Sequence, residues 1–287
     1  GPTQLGEVGM IAKAKQRRED NGEKSNPTAA LIIIGLSVVM LIVAQYSGWV
    51  DLTTAPGIAA SMTYLIPGIT FVYLLNIVIS GGINLQEKKQ IAIIFVLFIG
   101  AAMFWAGFEQ AGSTLNLFAG WIQNFNPIFI VILAPVMGAI WVKLAAKNLN
   151  PSTPLKFGFG LIMMGLGFLV MVFASHAAAA AAGAVGMGYL ILTYLLHSIG
   201  ELTLSPVGMS ATTKLAPKQY TGQMMGIWFV GASLGNLIAG QFAGNFDSND
   251  VTQLPDLFMS VVWMGVGVGL TFVVASGMLK KWMGGVQ

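Results

Sequence analysis

The chain has 287 residues, of which 55% are hydrophobic and only 9% are charged, and its mean hydropathy is +0.76. Soluble domains carry about 25% charged residues, so this composition excludes an ordinary water-exposed domain and indicates membrane spans joined by short loops. The absence of cysteine excludes disulfides and cysteine-ligated metals. The net charge of +3 does not indicate nucleic-acid binding, because the basic residues fall in separate short segments rather than on one face.

Residues 1–27 are polar, with a basic run from Lys13 to Arg18, and they do not resemble a signal peptide. The opening Gly1-Pro2 is compatible with an internal start or with a protease-cleavage scar. Crossing about 30 Å of hydrocarbon takes about 20 apolar helical residues. Eight runs meet this requirement: 28–48, 57–80, 90–118, 126–146, 155–175, 184–206, 220–244 and 256–279. The prediction is an all-α polytopic membrane protein.

The lysines and arginines predict how these spans are oriented. All 14 fall in five segments that occupy every second connection: Lys13–Lys24, Lys88/Lys89, Lys143–Lys156, Lys214/Lys218 and Lys280/Lys281. Under the positive-inside rule these segments stay in the cytoplasm. The alternate connections hold only acidic residues or no charge at all. We therefore expect both ends of the chain to be cytoplasmic.

Small residues and prolines recur inside the predicted spans. Four glycines follow one span at spacings of four or five: Gly231, Gly235, Gly240 and Gly244. Such residues let helices approach closely in lipid, and we interpret most of them as packing residues. Three prolines lie inside or near the ends of spans: Pro67, Pro135 and Pro206. Each frees a backbone carbonyl and permits a bend.

Glu109 and Glu201 are the only charged residues well inside the predicted spans. A charge there costs about 2.5–3.5 kcal/mol on insertion scales, so it indicates function unless a neighbouring helix pairs with it or it is neutral. Around the first glutamate, polar and aromatic residues recur at steps of three or four: Trp105, Glu109, Gly112/Ser113 and Asn116. They share one helical face, as expected for the lining of a wet cavity or, alternatively, for a polar seam against another helix.

A comparable row accompanies the second glutamate: Tyr194, His197, Glu201 and Ser205. A histidine and a glutamate four residues apart are placed to share a proton, and we expect both groups to titrate near neutrality once they are desolvated. His197 is therefore a possible proton relay, although a hydrogen-bonded histidine in a helix-packing contact is the simpler interpretation. His176, at the non-cytoplasmic end of a span, is interpreted as interfacial.

No enzyme motif accompanies these acids. The sequence lacks HExxH, GxSxG and P-loop motifs, and it contains no metal-ligand constellation. Two carboxylates on separate helices are compatible with an acid–base pair, but no accompanying nucleophile is recognisable. We therefore expect a transporter rather than an enzyme, with no cofactor and no metal.

Four motifs, in order along the chain, resemble those of the proton-dependent oligopeptide transporter family. FWAGFEQAGS at 104–113 is similar to the FWxxxEQxGS motif of the family's seventh helix, and Asn126-Pro127 resembles the Asn-Pro of its eighth. GELTLSPVG at 200–208 is similar to the tenth-helix GExxLSPxG signature, and GQMMGIWF at 222–229 to the eleventh-helix QMMxxWF motif. Four motifs in the right order make this a specific resemblance.

The resemblance implies the major facilitator fold, in which two six-helix halves enclose a midplane site and rock about it. The chain then comprises a cytoplasmic polar and basic linker (1–27), a transmembrane hairpin (28–88) and the C-terminal six-helix bundle (89–287). The hairpin resembles the one that bacterial members insert between their halves, so the expected location is the bacterial inner membrane. The family's first-half motifs have no counterpart here, so the N-terminal half is expected elsewhere, in the same or a separate chain.

The resemblance also implies a role for each site residue. Glu201 is similar to the glutamate that contacts the peptide's amino terminus and pairs with a first-half lysine. Glu109 is similar to the acid that pairs with a first-half arginine and takes part in proton coupling. Asn126 resembles the asparagine that assists binding of the amino terminus. Trp105 and Trp228 resemble tryptophans that line side-chain pockets.

The expected function is half of a proton-coupled symporter of di- and tripeptides that works by alternating access. Its partners are then the peptide, protons, the lipid bilayer and the N-terminal six-helix half, with no nucleic acid. Two alternatives stay open. One is a transporter of the same superfamily with another substrate, such as nitrate or a drug. The other is a membrane module or subunit that does not transport when the chain is isolated.

Overall fold

The computed structural model describes residue 39 and residues 42–119, 125–180, 186–244 and 253–286. The chain divides into two units, residues 1–61 and residues 62–287, which are considered separately below. Throughout the described ranges the regular structure is helical, without strands. The all-α class predicted from hydropathy is therefore confirmed.

Seven long helices are present in the described part of the chain, each long and apolar enough to cross a membrane. They are α1 (Ala55–Ser80), α2 (Leu85–Ala119), α3 (Phe125–Ala146), α4 (Thr153–Ala180), α5 (Met187–Leu215), α6 (Thr221–Gly244) and α7 (Leu254–Trp282), with a 3-10 turn at Lys218–Tyr220 before α6. They correspond one to one to the last seven predicted spans. The first predicted span, 28–48, lies mostly outside the described residues.

Two helices extend beyond the apolar runs that predicted them. α2 begins at Leu85 rather than at 90, because Asn84 and Glu87 form a reciprocal cap. The Glu87 amide donates to Asn84 Oδ1 over 2.9 Å, and the Asn84 amide donates to Glu87 Oε2 over 2.8 Å. These bonds satisfy amides that the first turn leaves unpaired. Hydropathy does not detect such a polar first turn.

α5 continues to Leu215, nine residues beyond its predicted end, and Pro206 lies inside it. A proline in a helix removes one backbone hydrogen bond, but the rest of the turn can continue in a membrane bundle. Continuation is favoured here because Leu204, Ala211 and Leu215 are buried against neighbouring helices. Pro67 and Pro135 also lie within helices, as predicted.

In residues 62–287, two helix groups share one apolar core. α4 packs most extensively on α7 and then on α5, while α2 packs mainly on α6. Five phenylalanines at the centre are almost entirely buried: Phe98, Phe104, Phe157, Phe168 and Phe258. α3 contacts the bundle through α5 and contains no buried residue. This thin packing leaves the side of α3 away from α5 open for other partners.

Glycines bring α4 close to both α5 and α7. A Cβ atom on Gly160 would lie 2.9 Å from the carbonyl oxygen of Gly200, and one on Gly200 would lie 2.8 Å from the oxygen of Gly160. Gly158 and Gly269 approach each other in the same way, at 2.7 and 2.8 Å. Backbones meet directly at these points, which gives the helices van der Waals contact without large side chains.

The predicted glycine row on α6 has two different halves. Gly231 and Gly235 face α2, where a Cβ on Gly231 would lie 3.0 Å from the Phe98 ring. Gly240 and Gly244 have no described neighbour within 4 Å of an added Cβ. The packing role that we predicted for most of these glycines therefore applies to the first two of the four.

In residues 1–61, the described segment contains a turn that leads into α1. The Asp51 carboxylate accepts hydrogen bonds from the Thr53 amide at 2.8 Å, the Thr53 hydroxyl at 2.6 Å and the Thr54 hydroxyl at 2.6 Å. These hydrogen bonds, first among them that of the Thr53 side chain, lower the pKa of Asp51 to about 2. The Asp51 amide donates to Ser61 Oγ over 2.9 Å, which fixes the turn to the first turns of the helix.

Candidate functional site

The candidate site forms where the start of α3 meets the middle of α5. Asn126 lies in the first turn of α3, and its Nδ2 donates to Glu201 Oε2 over 3.0 Å and to Ser198 Oγ over 3.1 Å. Ser198 in turn donates to the Tyr194 carbonyl oxygen over 2.7 Å. Because Ser198 and Glu201 are three residues apart, the helix presents both to the same asparagine. The network holds the Glu201 carboxylate in one orientation.

Glu109 reaches this cluster from α2. Its carboxylate lies within electrostatic range of the Glu201 carboxylate, so the two acids repel each other when both are ionised. Both side chains are half-buried. Across the described residues, the polar partner of Glu201 is Asn126, and no lysine or arginine pairs with either acid. Two like charges in a poorly solvated place favour the approach of a cation or a proton.

Trp105 lies one turn before Glu109 on the same face of α2. Its ring meets Phe104 edge-on at a centroid distance of 5.7 Å and Phe108 at 5.3 Å, and the side chain remains partly exposed. Gly235 of α6 packs directly on its Cβ atom. The tryptophan is therefore held rigidly beside the acids, with part of its surface free to contact a ligand.

Trp228 lies deeper in the bundle. Only 4% of its side chain is exposed, and its ring packs edge-on against Phe157 at 6.1 Å. The six-membered part of the indole rests on Gly208 of α5, where any Cβ would collide with it. The glycine that ends the tenth-helix signature and the tryptophan of the eleventh-helix motif thus form one helix-packing contact.

His197 is completely buried and faces α4. Its Nε2 lies 3.2 Å from the Met164 carbonyl oxygen, and because a carbonyl only accepts, Nε2 carries the proton in this bond. The ring lies between Phe108 and Phe168, at centroid distances of 5.8 and 4.9 Å. Its Nδ1 has no hydrogen-bond partner among the described residues. The contacts of the ring are therefore those of a packing histidine.

The remaining predicted positions divide into two groups. The side chains of Gly112, Ser113 and Asn116 lie outside the described residues, so that part of the α2 stripe stays a prediction. Ser205 is one turn beyond Glu201, and its hydroxyl is buried without a hydrogen-bond partner in the described part of the chain. Sequence reasoning missed Ser198, although its spacing of three residues from Glu201 was a readable signal.

Within the described ranges, no group of three or more histidine, aspartate, glutamate or cysteine side chains could hold a metal ion. The chemistry that the cluster supports follows from its side chains. It presents an oriented carboxylate, a second carboxylate and an aromatic ring, which together suit a positively charged amine and the exchange of a proton.

Comparison with known proteins relates this arrangement to a family. The POT family model, PTR2, matches residues 66–264, more than half of the chain. The chain is 34% identical to the peptide transporter YePEPT of Yersinia enterocolitica over 239 residues, covering 78% of this chain and 47% of that protein. It is 30% identical to a di-/tripeptide transporter of Lactococcus lactis over 322 residues, covering 99% of this chain and 63% of that protein.

The fold also matches a solved transporter. A crystal structure of a peptide transporter POT in complex with sulfate superposes with a TM-score of 0.71 at 29% identity, covering 92% of this chain and 55% of that chain. The chain thus spans less than two thirds of the length of each of these relatives. The seven apolar helices among its described residues make it a multi-pass membrane protein. On its motifs, its fold and these matches, the chain belongs to the POT family.

Proposed function

We propose that the chain forms the C-terminal half of a proton-coupled symporter of di- and tripeptides that works by alternating access. The observation that carries this proposal is the cluster of Glu201, Asn126 and Glu109, which has an excess of negative charge and no cation among the described residues. Relatives named as peptide and di-/tripeptide transporters support peptides as the substrate class.

Glu201 is proposed to bind the amino terminus of the peptide. A free peptide carries an ammonium group with three donors, and an oriented carboxylate is its natural acceptor in a poorly solvated site. Asn126 holds Oε2 of Glu201 by a 3.0 Å hydrogen bond and leaves the other carboxylate oxygen, Oε1, for the substrate. Selectivity for a free amino terminus then follows from the position of one carboxylate.

Glu109 is proposed to take up the coupled proton. When it is ionised, it needs a cationic partner, which we place in the N-terminal half of the transporter. Protonation removes that attraction, and breaking a buried ion pair from one side costs about 3–5 kcal/mol. A difference of that size is large enough to shift the population of two conformations. Because Glu109 also repels Glu201, either a proton on Glu109 or an ammonium on Glu201 relieves that repulsion, and we propose that the two are coupled through the shift in conformation.

The aromatic residues are proposed to shape the side-chain subsite. Trp105 is partly exposed beside Glu109 and is placed to contact a substrate side chain directly. Trp228 is packed against Phe157 and Gly208, so we propose that it supports the wall of that subsite from behind. For His197, the bond to Met164 favours a packing role over a relay.

The half-site requires a complement. We propose that six helices of an N-terminal half, in the same or a separate chain, supply cations opposite Glu109 and Glu201. We further propose the cell membrane of a bacterium as the location, with the lysine-bearing helix ends on the cytoplasmic side. Residues 1–27 then form a cytoplasmic linker, 28–88 the hairpin and 89–287 the six-helix bundle. In this arrangement the N-terminal half covers the exposed side of α3.

Uptake of a labelled dipeptide tests the proposal. The full-length transporter is reconstituted into vesicles, and uptake is measured with and without an inward proton gradient. We expect the gradient to raise uptake in the wild type and to have no effect in Glu109→Gln. The matched control is Asp256→Asn, which changes an exposed acid in the first turn of α7. Equal stimulation of the wild type and Glu109→Gln would contradict the coupling role.

Competition separates the substrate classes. Unlabelled dipeptides should reduce the uptake of the labelled dipeptide, whereas nitrate and amphipathic drugs at the same concentration should not. Inhibition by nitrate or a drug without inhibition by dipeptides would instead identify a transporter of the same superfamily with another substrate. Transport by this chain without its complement would contradict the proposed half-site.

A further inference from the structure

A second charged region lies away from the acidic cluster, at the ends of the helices that carry lysines. A cavity of about 540 Å³ opens between the end of α3, the start of α4 and the end of α5. Lys156 and Lys214 both contribute to its lining. Along α3, Asn126 of the acidic cluster and Ala134, the α3 lining residue farthest from the lysine-bearing end, are eight residues apart, which is about 12 Å of helix. The lysines of the cavity are therefore separate from the acidic cluster, although the apolar lining on α5 reaches Leu202, which follows Glu201.

Lys156 is the central group of this cavity. Its side chain is only 9% exposed, and its Nζ lies 4.4 Å from the centre of the Trp141 ring. This cation–π contact holds the ammonium but accepts no hydrogen bond in the ordinary sense. Among the described residues, the Lys156 ammonium has no hydrogen-bond acceptor and no acidic partner. Three N–H donors of a nearly buried cation are thus left for a ligand.

The neighbours of Lys156 increase the positive potential. Lys214 lies within electrostatic range of Lys156, and the two ammonium groups repel each other. Thr153, at the start of α4, also lines the cavity, so the positive end of a 28-residue helix faces the same space. Two cations and a helix N-terminus converge on one cavity, and all three attract an anion with several oxygen atoms.

The cavity is polar at one end and apolar at the other. Its polar lining, including Asn150 and Ser210, comes from the ends of the helices and the connection between α3 and α4. Farther from these helix ends, the walls are apolar: Ala134, Met137, Leu202 and Val207. Free phosphate gains no stabilisation from apolar walls, whereas the first carbons of an acyl chain are stabilised when they are buried against them. The lining therefore matches an amphiphile better than an inorganic ion.

Asn150 adds a further element of recognition. Its Oδ1 is buried and has no hydrogen-bond partner among the described residues. A buried acceptor of this kind is matched by a hydroxyl donor. A ligand that fits both needs carries a phosphate for the lysines and a hydroxyl group for the asparagine. Phosphatidylglycerol has this combination in its headgroup.

We propose that the cavity bounded by Lys156, Lys214 and Asn150 binds the headgroup of an anionic phospholipid, with phosphatidylglycerol as the best match. Basic pockets between membrane helices commonly hold such headgroups. The lipid bridges the loosely packed α3 to α4 and α5. Its binding stabilises the position of α3, the helix that also carries Asn126 of the acidic cluster.

Native mass spectrometry of the full-length protein tests this site. The protein in neutral detergent is titrated with phosphatidylglycerol, with phosphatidylcholine of the same acyl chains, and with inorganic phosphate. We expect the protein to retain phosphatidylglycerol in preference to the other two ligands. In Lys156→Gln the Kd for phosphatidylglycerol should be about fivefold higher, because a contribution of about 1 kcal/mol per lysine corresponds to that factor. The matched control, Lys281→Gln, removes an exposed lysine in the last turn of α7 and should leave the Kd unchanged.

Each outcome decides the proposal. Equal weakening in Lys156→Gln and Lys281→Gln would reveal diffuse surface attraction and overturn it. Binding of phosphate without a preference for phosphatidylglycerol would identify a free-anion site and overturn the assignment to lipid. The absence of any preference among the three ligands would also overturn the proposal. Lys156→Arg should retain binding, and Lys214→Gln gives a second reading if Lys156→Gln fails to fold.

Discussion

The two charged regions of this chain share the same helices but differ in sign and depth. The acidic cluster lies where α3 begins and α5 is halfway along, whereas the lysines of the cavity lie near the start of α4 and at the end of α5. A carboxylate in mid-membrane is costly unless it meets a cation or a proton. A lysine at the end of a span can reach the interface. The first region therefore suits ligands that bind and dissociate during transport, and the second suits a lipid that remains bound.

This comparison also distinguishes how each charge is stabilised. Asp51 is partly exposed and accepts three hydrogen bonds from Thr53 and Thr54. Glu201 is half-buried and has one asparagine as its polar partner. Lys156 is nearly buried and has only an aromatic ring. The less completely the described residues satisfy a charge, the more strongly the structure points to a ligand there.

The largest effect is expected for Glu201→Gln. Truncating one partner of a buried, hydrogen-bonded charge pair costs about 2–5 kcal/mol, so the apparent affinity for dipeptide should fall about thirtyfold or more. Concentration-dependent uptake into vesicles measures this change. Asp256→Asn, an exposed acid, should transport like the wild type. If Glu201→Gln and Asp256→Asn have the same apparent affinity for dipeptide, the half-buried acid has no special role and the contrast between the two regions is contradicted.

Asn126→Ala should have the next largest effect. It removes the 3.0 Å hydrogen bond that orients Glu201 and also the bond to Ser198. A hydrogen bond to a charged group contributes about 1.5–3 kcal/mol, so we expect KM for dipeptide to rise about tenfold. Because the asparagine orients the carboxylate without carrying charge, stimulation by the proton gradient should persist. Loss of that stimulation would show that the asparagine is part of the coupling itself.

The contact between Gly160 and Gly200 links the two regions, because Gly160 is one turn beyond Lys156 and Gly200 adjoins Glu201. Gly160→Ala places a Cβ 2.9 Å from the Gly200 oxygen and should destabilise the bundle by about 1–3 kcal/mol. Gly240→Ala meets no described neighbour and should be neutral or stabilising by up to about 1 kcal/mol. Thermal unfolding of the purified variants compares them. Equal melting temperatures would contradict close packing at Gly160.

The smallest expected effect concerns Asp51. Its folded pKa of about 2 is below the ordinary value of 3.8, so its hydrogen bonds stabilise the turn above about pH 4 and are lost as the pH falls towards 2. Exchange of the Thr53 amide should therefore accelerate over that interval in the wild type. In Asp51→Asn the exchange rate of the Thr53 amide should lack this additional acceleration at low pH. A wild-type amide without the acceleration would show that the carboxylate does not hold the turn.

Much of the fold was predictable because crossing a membrane demands long apolar runs. The ends that hydropathy missed depend on capping and packing: the Asn84–Glu87 cap starts α2 early, and burial of Ala211 and Leu215 favours the continuation of α5 through Pro206. The family resemblance named Glu201 and Asn126, but their direct hydrogen bond depends on how α3 docks on α5. The same docking brings in Ser198, which no motif names.

The lysine cavity was not predictable for a related reason. Lys156 and Trp141 are on different helices, and only the path of the connection between α3 and α4 brings the ring under the ammonium. In the sequence, both lysines of the cavity appeared as ordinary positive-inside residues. The structure separates Lys156 from that group because it is nearly buried, whereas Lys281 is exposed.

The most direct test of the central claim compares two inhibitors of dipeptide uptake, dialanine and its N-acetylated form, in the wild type and in Glu201→Gln. The proposed role of Glu201 predicts that the wild type strongly prefers the free amine, because only the free amine supplies an ammonium to the carboxylate. In Glu201→Gln that preference should largely disappear. A preference for the free amine that is as large in Glu201→Gln as in the wild type would contradict the assignment of Glu201 as the amine-binding group.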